Sequence, residues 1–138
     1  MSFNYFNSNP DDSEFKSGKK KIWCRDDSAF RAVSCALDIS WESAYRKLCD
    51  IGIRLHDNPV SKNVVDTFCI GSNFVHETFG KPSKGCTRPI VADFIEEHPT
   101  GTYIVYLPHY YVCIKDGEIH NTEDVSNSSV YSYWKLLD

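Results

Sequence analysis

No stretch of this 138-residue chain is apolar for long enough to cross a bilayer as a helix. Its opening, MSFNYFNSNPDDSEF, has neither the basic start nor the apolar centre of a secretory leader, so a cytoplasmic protein is expected. There is no Cys-x-x-Cys and no His-x-x-x-His, the spacings by which a chain commonly offers zinc ligands, and no metal or cofactor is expected. The net charge of −4 gives no basic face for nucleic acid. The one basic run, Lys19-Lys20-Lys21, follows Asp11, Asp12 and Glu14 and reads as a solvated leader rather than a binding patch. There is no internal repeat, no long low-complexity stretch, and no glutamine at all.

What is present is the material of one core. The length suits one domain, 41% of residues are hydrophobic, and eight Tyr with eight Phe supply large buried areas. Six cysteines would allow disulfides, but nothing marks secretion and the chain is long enough to fold without cross-links. They are read as reduced, mostly buried thiols. Residues 1–21 form a polar extension in which Phe3, Tyr5 and Phe6 could still pack on the body. Residues 22–138 form the domain.

Four helices are predicted first. From Ser28, the residues Ala29, Ala32, Val33, Ala36 and Leu37 recur at helical spacing, with Asp27 or Ser28 as cap. Such a small-residue stripe suits a central helix. SWESAYRKLCDIG continues as a second helix, capped by Ser40 and ended by Gly52. A third covers about 62–70. The stretch GSNFVHETFGKPSKGC reads as loop, broken by Gly71, Gly80, Pro82 and Gly85. TRPIVADFIEEHPTG is a fourth helix with Thr87 as cap and Pro89 in its first turn. Strands follow in TYIVYLP, HYYVCIK, EIHNTE and VYSYWKL, with Asp116-Gly117 as a hairpin turn. Helices first and strands last predict an α+β fold with an antiparallel C-terminal sheet.

The start of the first helix is where chemistry is expected. Free N–H groups and the helix dipole favour negative charge there by about 0.3–1 kcal/mol. A nucleophile so placed gains a stabilised anion and a donor for an oxyanion. Ser28 has the placement, although a lone serine there is more commonly a cap. His109, at the start of HYYVCIK, is the candidate base. Asn121 or Asp124, on the next strand, could orient it. A two-residue turn pairs Lys115 with Glu118 and brings Asp124 opposite His109. A bulge at the turn shifts the register by one and returns Asn121 to the face that His109 occupies.

These residues resemble a family. DDSAFRAVSCALDISWESAYRKL resembles the opening of small papain-like cysteine peptidase domains of bacteria and their phages, and FIEEHPTGTYIVYLPHYYVCIKDGEIHNTED resembles their closing. The resemblance spans about residues 22–134. It implies a papain-like fold, amide hydrolysis through a Cys-His-Asn/Asp triad, a peptide or protein substrate, and a bacterial or host cytoplasm. Carried over, the nucleophile falls on Ser28, the base on His109 and the orienting residue on Asn121. Serine at the cysteine position implies an inactive or trapped form, engineered or natural. The alternative is a pseudopeptidase that binds a peptide or protein without cutting it. A third possibility is a phage effector that cuts or masks a host protein.

Rival assignments remain. Cys24 is a second candidate nucleophile; Cys35 lies inside the helix and should be buried. His120 is a second candidate base, on the opposite strand face from Asn121. Asp26 or Asp27 beside the site would oppose a developing negative charge, so capping is their expected role. His56, His76 and His98 are expected to be solvated. With no glutamine in the chain, the second oxyanion donor of the papain-like scheme has no candidate.

Overall fold

Small side chains decide where the first helix sits. In the computed structural model, which describes residues 2–9, 27–78 and 88–137, α1 (Ser28–Leu37) is buried along nearly its whole length. Ala29, Ala32 and Ala36 let its backbone approach the sheet, and Val33 is wholly buried. Next come α2 (Trp41–Leu55) and α3 (Lys62–Ile70), each started by a serine whose hydroxyl accepts a backbone N–H. Ser40 accepts from Ser43 at 3.0 Å and Ser61 from Val64 at 3.2 Å.

Gly52 does not end α2. The helix runs on to Leu55 and closes at His56 in the left-handed region. Gly52 lies inside it, where a Cβ would come within 2.8 Å of the Asp57 carbonyl oxygen. It is glycine because the returning loop crosses the helix there. A further difference is β2 (Phe74–Thr78) within the stretch expected to be loop. Its pairing with the last strand outweighs the breakers around it. The last helix, α4 (Val91–Glu97), starts later than expected, because Ile90 pairs with Ser129 before the helix begins. Thr87 lies outside the described residues.

The fold is α+β, with four helices and a six-stranded mixed sheet among the described residues. The remaining strands are β1 (Ser2–Tyr5), β3 (Thr102–Leu107), β4 (Tyr110–Lys115), β5 (Glu118–Asn121) and β6 (Ser132–Leu136). Their spatial order is β1-β5-β4-β3-β6-β2. All pairings are antiparallel except β1 with β5, so the sheet is mixed rather than antiparallel, and the N-terminal residues join it.

Period-two alternation gives the sheet two buried faces. Ile104, Tyr111, Cys113 and Trp134 face α1, α2 and α3. Tyr103, Val105, Val112, Ile114, Ile119 and Tyr133 face α4 on the other side. The hairpin between β4 and β5 keeps ideal register: Lys115 pairs with Glu118, Ile114 with Ile119 and Cys113 with His120. Asp116 and Gly117 both have positive φ, 47° and 77°, as a two-residue turn with the twist of its strands requires. No bulge shifts the pairing. Among the described residues no helix is long and apolar enough to cross a membrane.

Candidate functional site

Ser28 is the first residue of α1, buried at 5% exposure. Its Oγ accepts the backbone N–H of Tyr111 at 3.1 Å, which ties the helix start to the start of β4. A hydroxyl that accepts in this way keeps its own proton to donate. The residue before it, Asp27, holds the N-cap position without capping. Its carboxylate accepts instead from Arg31 Nε at 3.0 Å, Trp41 Nε1 at 3.2 Å and Asn9 Nδ2 at 3.1 Å. Among the described residues, the first N–H groups of α1 therefore have no side-chain acceptor, unlike those of α2 and α3.

His109 sits in the turn before β4 rather than on the strand. Leu107 pairs with Tyr110, so Pro108 and His109 form a two-residue turn. Proline fixes the first central φ, and His109 takes the second with φ 55°. The imidazole is exposed at the rim of a cavity of about 230 Å³. Ser28 and Ala29 of α1, Ser61 and Lys62 at the start of α3, and Tyr111 of β4 line the same cavity. The structure thus brings Ser28 and His109 to one space.

Tyr111 lines that space as well, but its hydroxyl oxygen is wholly buried rather than open to the cavity. The residue is 5% exposed, and among the described residues its hydroxyl has no hydrogen-bond partner. Burial, with the nearby Asp66 carboxylate, pushes its pKa far up, so the hydroxyl stays protonated and a donor. Asp66 itself is engaged by Lys62 Nζ at 2.6 Å and Trp134 Nε1 at 3.1 Å. Lys62 Nζ also lies 5.7 Å from the centre of the Tyr106 ring.

Asn121 is placed elsewhere. Its side-chain oxygen accepts from Arg31 Nη1 at 2.9 Å and from the Tyr110 hydroxyl at 3.0 Å, and its Nδ2 donates to the Glu123 carbonyl at 2.9 Å. Arg31 further donates to Thr122 at 3.2 Å and to the Tyr110 hydroxyl at 3.0 Å. Burial opposes its charge, yet Tyr110 and Asp27 more than offset this and raise its pKa. This buried network joins the start of α1 to the end of β5. Asp124 accepts the Ser126 N–H at 2.9 Å, an Asx-type turn. Among the described residues, the His109 ring makes no hydrogen bond with Asn121 or Asp124.

The rival residues are also placed. Cys35 is 4% exposed within α1, next to Cys113. His120 is half-buried on β5 against Phe6 and Glu118, away from the cavity. Of the histidines expected to be solvated, His56 is the exposed cap of α2. His76 is exposed as well, on β2, with its ring centre 4.4 Å from that of Trp134. His98 departs from that expectation: it is half-buried, its Nδ1 donates to the Phe94 carbonyl at 3.0 Å, and its ring stacks on that of Phe94. Cys24, Cys86 and Asp26 lie outside the described residues. Residues that sequence reasoning missed are Arg31, Ser61, Lys62 and Tyr111. An Asp27–Arg31 pair at helical spacing and a serine cap at 61 were the available signals. Compared with known proteins, the chain matches no protein-family model, no curated protein and no solved structure.

Proposed function

We propose that the chain is a papain-like scaffold in which residue 28 holds the nucleophile position and His109 the base, acting on a peptide or protein segment. Ser28 leaves this form with little or no hydrolytic activity. One observation carries the reading: Ser28 and His109 line a single cavity at an uncapped, buried helix start. With cysteine at 28, the thiolate would attack the carbonyl carbon of an amide. The α1 N–H groups would hold the oxyanion, and the departing amine would take a proton from the imidazolium. The resulting thioester would then be opened by water. A serine hydroxyl ionises far less readily and depends on proton removal by a well-oriented base.

A second reading, binding without cleavage, is favoured by Asn121. Its amide is committed to Arg31, Tyr110 and Glu123, so it gives His109 no fixed orientation. The two readings separate with a Ser28→Cys protein and a peptide carrying a thiol-reactive group. The catalytic reading predicts labelling at residue 28 that is lost when His109→Ala is added. Labelling indifferent to His109, or none at residue 28, leaves binding without cleavage.

A further inference from the structure

Along α2, Tyr45, Cys49 and Ile53 recur four residues apart and form one apolar stripe. They lie beside the face that Ala44, Leu48 and Ile51 bury in the core, and Tyr45 and Ile53 are 43% and 72% exposed. A lone exposed apolar residue is ordinary, whereas a continuous row of them marks a surface that is covered in use. Two features shape this row. Tyr45 is held in place, its ring stacked on Trp41 at 5.2 Å and tilted against Phe30 at 4.9 Å. Further along the helix, Cys49, Gly52, Ile53 and Pro59 line an open groove of about 600 Å³. A fixed aromatic ring and a groove thus share one flank of α2.

The adjoining row of the helix is charged. Glu42, Arg46, Asp50 and Arg54 alternate in sign along it, and all four are exposed. Among the described residues none of the four is in an ion pair. Turned end for end, this row complements itself. About a two-fold axis near residue 48, Glu42 of one copy falls opposite Arg54 of the other and Arg46 opposite Asp50, each pair occurring twice. The same rotation brings Tyr45 of each copy to the groove beside Gly52 of the other.

We infer that this flank of α2 binds a second copy of the chain, with the two α2 helices antiparallel. The Tyr45 rings enter the facing grooves as apolar anchors, and the Arg46–Asp50 pairs at the rim set register and direction. The surface shares no residue with the cavity of Ser28 and His109, so it does not depend on the function proposed for that site.

Sedimentation equilibrium of the full chain under reducing conditions tests this. Association should be reversible and stop at two copies. Ile53→Arg and Arg46→Asp, both at exposed positions and each checked for parental helicity by circular dichroism, should each raise the dissociation constant about tenfold or more. Adding Asp50→Arg to Arg46→Asp exchanges both signs and should restore most of the lost affinity. A short bismaleimide should join two chains through Cys49, which lies within one turn of the axis, and Cys49→Ala should abolish that product. A chain that stays monomeric at every concentration overturns the inference and leaves the stripe to a different protein. A dimer that ignores Ile53→Arg and Arg46→Asp lies on another surface and overturns it as well. A doubly exchanged protein no tighter than Arg46→Asp alone overturns the antiparallel arrangement.

Discussion

Among single residues, Arg31 carries the largest electrostatic stake. Its guanidinium and the Asp27 carboxylate are 8% and 9% exposed and meet at 3.0 Å. Removing one partner of a buried pair leaves the other charge uncompensated, at a cost of about 3–5 kcal/mol. Arg31→Met should therefore lower the urea midpoint strongly, and a midpoint near that of the parent would show that the network carries little. His120 carries a smaller, pH-dependent effect. Burial lowers its pKa from the ordinary 6.5, against a partial opposing pull from Glu118. The folded state thus binds the proton less readily than the unfolded state. This contribution is present above pH 6.5 and is lost as pH falls toward the folded pKa. His120→Asn should flatten the fall in thermal midpoint on acidification through that range. An unchanged slope would assign the dependence to other groups. At this scale the burial of the helix start at Ser28 was legible, because a stripe of alanines marks it, whereas the capping expected of Asp27 or Ser28 is not made. The role of Asn121 was not, since it depends on Arg31, 90 residues away along the chain.

Elements show what local signals can and cannot carry. The Asp116-Gly117 turn sets its own register, because both residues accept positive φ and the strands on either side need no further adjustment. The bulge that would have put Asn121 on the face of His109 is absent for that reason. α3 began and ended where its pattern placed it. Gly52 misled because glycine has two uses in helices, as a terminator and as a gap for a crossing chain. Which applies depends on the loop 57–59, a tertiary fact. Gly52→Ala should destabilise the protein by about 1–3 kcal/mol, the range for forced overpacking. Guanidinium unfolding checks this, and a stabilised variant would show that the loop yields freely. Likewise β2 could not be read locally, since its stability comes from pairing with β6, from Phe74 opposite Leu136 to Thr78 opposite Ser132.

For the whole molecule, the sequence order of helices then strands correctly implied an α+β fold. It did not imply that the sheet would take strands from both ends of the chain. β1 lies parallel to β5 and forms one edge, and Asn9 then reaches Asp27 beside the site. Deleting residues 1–9 should expose the backbone edge of β5 and remove one partner of Asp27. The expected result is a lower thermal midpoint and concentration-dependent association by light scattering; a monomer of parental stability would contradict it. The two-sided core holds α1 against β4 and so fixes Ser28 beside the turn that carries His109. That juxtaposition is the central claim, and a chemical titration tests it most directly. The alkylation rate at residue 28 in Ser28→Cys would be followed by mass spectrometry against pH, with and without His109→Ala. A reactive site at a helix start beside histidine predicts a thiol pKa below the ordinary value of about 8.5, rising when His109 is removed. A thiol that is slow at every pH, or whose titration ignores His109, would contradict the account and leave residue 28 as a structural link between α1 and β4.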